Sequence, residues 1–350
     1  MLDNIQVGGG APISVQSMTN TDTRDVAATV AQIHALEKAG CEIVRCAVPD
    51  EPAAKALKKI KQEISLPLVA DIHFQHKLAL IAVESGVDCL RINPGNIGNA
   101  ERVKEVVKAC AQANVPIRIG VNSGSLEKPV VKKHGGPTAG AMVESAMGHI
   151  RILEELDFHD VKVSLKATDI QRTLESNRLF SKQSDIPLHL GVTEAGTPYS
   201  GTVKSAIGLG ILLAEGIGDT IRVSLTGDPV PEIRAGFEIL KTLELRQRGI
   251  HFISCPTCGR LEGGTLEIVE ALEVELAEIT ASFHVAVMGC SVNGPGESKG
   301  ADVGVIAAPD NHFLVYKAGS YWQKIKREDV VKVVSDTVRA MHKNQKEPKS

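Results

Sequence analysis

From Ile13 to about Arg248 the chain alternates brief apolar, β-branched runs with longer segments in which apolar residues return every three or four positions. The brief runs are Ile13–Met18, Ile43–Val48, Leu66–Ile72, Cys89–Ile92, Pro116–Val121, Val161–Lys166, Pro187–Val192 and Thr220–Leu225, each bounded by Gly, Pro, Asn or Asp. Unbroken apolar character over a few residues is what a strand buried on both faces requires. Segments such as Val26–Ala39 and Glu101–Ala113 have the spacing of amphipathic helices. Gly40, Gly86 and Gly216 stand just past such segments, where a left-handed C-cap belongs. Eight strands alternating with helices over roughly 240 residues predict an α/β fold of the (β/α)8 TIM-barrel type rather than an open, doubly wound sheet.

Past Arg248 the rhythm changes. His251–Arg260 reads as a turn, Leu266–Ile279 as an amphipathic helix, and His284–Met288 as a strand running into a loop at Cys290. Val303–Ala307 and Phe313–Tyr316 read as further strands and Glu328–His342 as a closing helix. This mixed order predicts a small α+β domain, with residues 1–248 as the barrel and 249–350 as the second domain.

Composition narrows the function classes. A net charge of −3 argues against a broad nucleic-acid surface, and 3% aromatic residues leave no stacking platform for bases. No charged-then-apolar leader or bilayer-length apolar run stands out, so a cytoplasmic protein is expected. Seven cysteines, an odd number, favour reduced thiols over a disulfide framework.

Three of those thiols are spaced for ligation. Cys255 and Cys258 flank a Pro-Thr pair, and Cys290 lies in Met288-Gly289-Cys290-Ser291-Val292-Asn293-Gly294-Pro295-Gly296-Glu297. Two thiolates two residues apart grip one metal centre from a tight turn, and a third from a distant loop closes the grip. Three thiolates leave one position unfilled by sulfur, which suits a 4Fe–4S cluster with an approachable iron. The bland alternative is a zinc staple. Cys41, Cys46, Cys89 and Cys110 lack ligand spacing and read as small buried hydrophobes.

The barrel segment carries a second anomaly. Arg45, Arg91, Arg118, Lys166 and Arg222 fall within or at the ends of five strand runs. A buried cation costs several kcal/mol unless an anion meets it, and Asp71 and Glu194 are the clearest carboxylates among the strands. A diphosphate, whose oxygens planar guanidiniums fork, matches the excess. Asn93, Asn122, Thr193 and Ser224 are placed to add neutral hydrogen bonds. Glu194 is the carboxylate best placed for proton transfer, although an ion pair with an arginine suits it equally. His73 and His189 read as hydrogen-bonded core residues before catalysts.

These motifs, with Ala11-Pro12-Ile13-Ser14-Val15-Gln16-Ser17-Met18-Thr19-Asn20 and Cys255-Pro256-Thr257-Cys258-Gly259-Arg260, closely resemble those of the bacterial two-domain 4-hydroxy-3-methylbut-2-enyl diphosphate synthase family, also called IspG or GcpE. The resemblance covers nearly the whole chain. Members usually begin with a longer basic stretch, whereas here Ala11 follows ten residues. The resemblance implies reductive ring opening of 2-C-methyl-D-erythritol 2,4-cyclodiphosphate with loss of water, in the non-mevalonate (MEP) isoprenoid pathway. It implies a 4Fe–4S cluster on Cys255, Cys258, Cys290 and Glu297, with Glu297 the ligand that substrate displaces. Arg45, Arg91, Arg118, Asn122, Lys166 and Ser224 would bind the diphosphate, beside Arg222, and Glu194 would handle protons. It also implies a flavodoxin or ferredoxin reductant and a homodimer whose active site is shared between subunits. Two other readings compete: a zinc-stapled, phosphate-binding lyase or aldolase using Lys166 as a Schiff-base amine, and a non-catalytic cluster-bearing interaction protein.

Overall fold

The computed structural model describes residues 1–93, 96–256, 258–259 and 263–346. Two compact units emerge, Met1–Arg246 and the chain from Gln247 onward.

In the first unit the eight short apolar runs are strands: β1 Ser14–Met18, β2 Ile43–Ala47, β3 Leu68–Asp71, β4 Cys89–Ile92, β5 Ile117–Asn122, β6 Val161–Lys166, β7 His189–Gly191 and β8 Thr220–Arg222. They pair in parallel in the order β6-β5-β4-β3-β2-β1-β8-β7. The seam between β6 and β7 is closed by a bridge between Val163 and Leu188, with Val163 N–H donating to the Pro187 carbonyl at 2.9 Å. The sheet is therefore a barrel.

Side chains alternate across each strand, so every second residue faces the helices. Val44, Cys46, Leu68, Ala70, Leu90, Ile92, Ile117, Ile119, Val163 and Leu165 belong to one continuous apolar core with those helices. The intervening residues face the barrel axis. At one level of that interior Ile43, Val69 and Cys89 meet Leu2, with Ile5 and Val7 packed alongside. Leu2 and Ile5 exchange backbone hydrogen bonds at 2.8 Å, which folds this segment into an apolar turn packed onto the barrel interior. The helices start on side-chain caps: Asp25, Asp50, Asn99 and Asp169 each accept the N–H three residues on.

The second unit holds a five-stranded sheet in the order β13-β12-β11-β10-β9, from β9 Ile250–Ser254, β10 Phe283–Met288, β11 Val303–Ala308, β12 His312–Lys317 and β13 Ser320–Lys326. The first three strands run parallel, and β12 and β13 return antiparallel. One face packs Val285, Val287, Val305, Phe313 and Val315 against Leu272 and Val334 of the helices Thr265–Glu275 and Val330–Lys346. On the other face Ala286, Met288 and Ile306 cluster with Ala301.

Three elements here correct or add to the sequence reading. Residues 250–254 form β9 before the cysteine turn begins, because alternate members of that stretch reach the sheet. Ser320–Lys326 is a strand despite its polar composition, since an edge strand needs only one apolar face. Gly294–Gly300, expected as loop, is a short helix with Pro295 in its first turn. Gly294 and Gly304 permit its close approach: a Cβ on Gly294 would meet Ile306, and one on Gly304 would meet Ser298.

Candidate active site

The strand period of two places each barrel cation on the inward face together with a polar neighbour. Arg91 shares its face with Asn93, Arg118 with Asn122, and Lys166 with Lys162 and Ser164; Arg222 shares its own with Ser224. Arg45, Arg91, Arg118 and Lys166 are all buried, Arg118 to 1% exposure. Asp71 serves two of them, lying 3.1 Å from Arg91 and 3.7 Å from Arg45. Arg45 and Arg91 together hold its carboxyl far below the usual range, against the opposing effect of its burial.

The second counter-charge was not anticipated. Glu232, in the first turn of the helix Val230–Thr242, is buried with Oε2 3.9 Å from Arg222 Nε. It accepts hydrogen bonds from Ser17 Oγ at 3.0 Å and from Leu225 N–H at 2.8 Å. Burial pushes its pKa upward while Arg222 opposes the shift. An acid at a helix N-terminus looks in sequence like ordinary dipole complementation, so nothing in the pattern distinguished it.

Five cations thus face two carboxylates, and Arg118 and Lys166 have no ion pair among the described residues. Arg118 donates to Gln16 Oε1 at 3.0 Å, but its Nε and second terminal nitrogen have no hydrogen-bond partner among the described residues. Burial, with repulsion from Arg91, lowers its pKa to about 10. Lys166 is pushed well below its ordinary value by burial and by Arg118, Arg45, Arg222 and Arg91. Such mutual destabilisation is relieved by an anion at the same place. Two glycines make room for the cluster. A Cβ on Gly120 would run into the Arg91 guanidinium, and one on Gly191 would sit 2.6 Å from Lys166 Nζ.

Of the neutral candidates, Asn93 is buried with Oδ1 unpartnered among the described residues, while Asn122, Thr193 and Ser224 are part-exposed. Glu194 is exposed, at φ +53°, a left-handed conformation that costs a non-glycine residue roughly 1 kcal/mol or more. Thr168 Oγ1 donates to it at 3.4 Å. Among the described residues it pairs with no arginine, so the neutralising role considered for it falls to Glu232.

A further polar tier lies on the same inward faces. Lys162 on β6 and His189 on β7 are buried, and among the described residues Lys162 Nζ, both His189 ring nitrogens, Ser14 Oγ and Thr220 Oγ1 lack hydrogen-bond partners. Burial lowers Lys162 to about 8, and burial with the neighbouring cations pushes His189 well below its ordinary value. His189 is therefore a core residue but not the hydrogen-bonded one expected. His73 is half-exposed and lies 3.1 Å from Arg91.

The cysteines follow from the register in the second unit. Val287 of β10 pairs with Ser254 of β9, so the loops leaving the two strands begin side by side. Gly289 N–H donates to Cys255 Sγ at 3.1 Å. Cys258 is exposed and Cys290 part-exposed; Thr257 and Arg260 of the motif lie outside the described residues. Glu297 is exposed on the helix Gly294–Gly300. Among the described residues, no three His, Cys, Asp or Glu side chains converge tightly enough to hold a metal ion. The donor set nonetheless fits an iron–sulfur group: soft thiols on adjoining strand-end loops, an amide N–H already aimed at one sulfur, and a hard carboxylate nearby in sequence. The other four cysteines are buried, with burial lifting Cys41 and Cys110 to about 12 and Cys46 to about 11.

Comparison with known proteins agrees across the whole chain. A family profile described as the GcpE TIM-barrel domain matches residues 1–237, and one for the GcpE protein C-terminal domain matches residues 251–340. A Geobacter sulfurreducens protein named 4-hydroxy-3-methylbut-2-en-1-yl diphosphate synthase (flavodoxin) is 59% identical, over 93% of this chain and 92% of its own. A Clostridium perfringens protein of the same name is 58% identical, over 94% of each chain. A Xanthomonas albilineans dihydropteroate synthase structure covers 67% of this chain and 94% of its own at 15% identity and a TM-score of 0.47. With both profiles matched in order, and relatives this similar over nearly their full length, the chain belongs to the GcpE family.

Proposed function

We propose that this protein reduces 2-C-methyl-D-erythritol 2,4-cyclodiphosphate to (E)-4-hydroxy-3-methylbut-2-enyl diphosphate and water, in the non-mevalonate route to isoprenoids. Its electrons come from a flavodoxin-type carrier. Cys255, Cys258, Cys290 and Glu297 would hold a 4Fe–4S cluster, which when bound supplies electrons singly and a Lewis-acidic iron. The observation that carries the reading is the excess of buried cations in a barrel of this family.

That excess suits the charge change of the reaction. Ring opening frees an ester oxygen, so the diphosphate gains one negative charge as the bond breaks. Two electrons and one proton enter, and the hydroxyl leaves as water. Fixed cations that are poorly matched before the bond breaks and better matched after it stabilise the transition state over the ground state. Arg118 and Lys166, which lack carboxylate partners, are assigned to the diphosphate oxygens with Arg45, Arg91 and Arg222. Asn93, Asn122 and Ser224 are assigned to its neutral hydrogen bonds. Glu194, exposed on its strained turn, is assigned to protonate the departing hydroxyl.

By the resemblance, the working unit is a homodimer in which each active site draws on both subunits. Co-expressing Glu297→Ala with Lys166→Ala chains tests this: mixed dimers should recover activity approaching half that of wild type. No recovery in verified mixed dimers would mean each chain completes its own site. No described helix is long and apolar enough to cross a membrane, and we place the protein in the cytoplasm.

Anaerobic purification tests the reading as a whole. A brown protein with equimolar iron and sulfide that converts the cyclodiphosphate with reduced flavodoxin is expected. A colourless protein with one zinc and a borohydride-trapped adduct at Lys166 would replace it with the aldolase reading.

A further inference from the structure

The hairpin of β12 and β13 combines charge, aromatic surface and proximity to a thiol in a way its fold does not require. From Asn311 to Lys326 there is no acidic residue, while Lys317, Lys324 and Lys326 are all exposed. Lys326 has Glu328 at 3.6 Å, but no ion pair holds Lys317 or Lys324 among the described residues. Tyr321 and Trp322 are exposed, at 57% and 47%, and Lys317 Nζ sits 5.4 Å from the Trp322 ring centroid. Tyr and Trp are residue types enriched in interaction surfaces, and both stand exposed on this edge strand.

Register ties this surface to the cysteine side of the sheet. Lys324 pairs with Leu314 and Tyr321 with Tyr316, and paired residues share a face. Leu314 and Tyr316 pack against the cluster of Ala286, Met288 and Ile306, as does Cys255. Tyr316 and Tyr321 meet edge to face, with ring centroids 6.0 Å apart. The turn at Gly319 lies against Lys299, whose helix also carries Glu297; a Cβ on Gly319 would be 3.0 Å from the Lys299 carbonyl. The opposite face of the sheet is covered by the helix Thr265–Glu275, which carries Glu267, Glu270, Glu273 and Glu275. An acidic protein approaching this unit is thus attracted to the hairpin and repelled from that helix.

We propose that the face formed by Lys299, Lys324, Lys326 and Tyr321, on the Cys255 side of the sheet, is the docking surface for an acidic electron-carrier protein of the flavodoxin type. The Tyr321–Tyr316 pair bridges the docked carrier and the packing around Cys255. Each encounter oxidises the carrier by one electron, so a turnover takes two encounters. This inference rests on the proposed function, and the test separates the two.

The test uses the holoenzyme with purified flavodoxin as protein donor and dithionite-reduced methyl viologen as small donor. Wild type and Lys324→Glu/Lys326→Glu are compared for flavodoxin-driven turnover and viologen-driven turnover, and calorimetry measures the binding of oxidised flavodoxin. The variant should bind flavodoxin at least tenfold more weakly at low salt, with a matching rise in its KM, while viologen-driven turnover stays at the wild-type level. Raising the salt should erase most of the difference. If the charge reversal lowers viologen-driven turnover, Lys324→Gln/Lys326→Gln is read by calorimetry instead, with a threefold or greater weakening expected. Unchanged flavodoxin affinity in a variant active with viologen would overturn the docking surface. So would a variant that loses its dimer, which would make the hairpin a self-contact. Wild-type holoenzyme that turns over with neither donor would sink the functional reading itself.

Discussion

The barrel interior and the cysteine loops place their chemistry under opposite constraints. In the barrel, cations sit on strands, buried and fixed by register, and their cost is paid whether or not a ligand is present. In the second unit the thiols sit on loops just beyond β9 and β10, part-exposed or exposed, with one amide hydrogen bond ordering them. A site on rigid strands is preorganised for an anion and strained without it. A site on strand-end loops gains its order from what it binds. Ligand removal should therefore strain the barrel electrostatically without unfolding it, and should loosen the second unit.

The largest expected effect falls on the loops. Cys258→Ser should abolish turnover and iron retention, and lower the melting temperature of the second unit while the barrel transition stays in place. Calorimetric melts resolve the two units. A single transition shifted as one body would break the contrast.

Next comes Glu194, which belongs to neither constraint because it is exposed on a left-handed turn at the barrel mouth. Glu194→Gln should keep substrate binding and iron content while turnover falls roughly a hundredfold or more. An equal loss of binding and stability would indicate a structural role.

Arg118→Met sharpens the barrel side. Loss of a charge-assisted contact costs about 1.5–3 kcal/mol of substrate binding, a weakening of roughly tenfold to above a hundredfold. The ligand-free protein should become no less stable, since the residue removed has unpartnered nitrogens and like-charged neighbours. Wild-type affinity for the cyclodiphosphate by calorimetry would remove Arg118 from the site.

Legibility in the sequence divides along the same line. All eight barrel strands were visible because strands buried on both sides read as unbroken apolar runs, and their cations stood out against that background. Glu232 stayed hidden because it reaches the site from a helix, where period and context resemble an ordinary first turn. Lys162 drew no reading in the sequence, although the strand period that places Lys166 inward places it on the same face, and the structure finds it buried. In the second unit the short helix bearing Glu297 is built from Gly294-Pro295-Gly296, which no propensity scale reads as helix. Its stability comes from the approach to β11 that two glycines allow, a tertiary cause that a linear pattern does not carry.

The effect on folding alone, and the most specific to the barrel, concerns Lys162. Its ammonium is buried without a hydrogen-bond partner among the described residues, and its pKa falls from 10.5 to about 8. Below pH 8 both folded and unfolded chains hold the proton, and the folded state bears a constant penalty on the order of 3 kcal/mol. Between pH 8 and 10.5 the folded chain releases the proton while the unfolded chain keeps it, so stability rises with pH across that window. Lys162→Met removes both the penalty and the slope. Denaturant melts of the metal-free protein should show the variant more stable at pH 7, with its advantage shrinking toward pH 10.5. Groups such as Arg118 and the buried thiols titrate nearby, but they are common to both proteins and largely drop out of the difference. A stability difference that stays flat across this range would mean Lys162 has a counter-charge in solution, and the inner tier would then be neutralised like the surface of an ordinary protein.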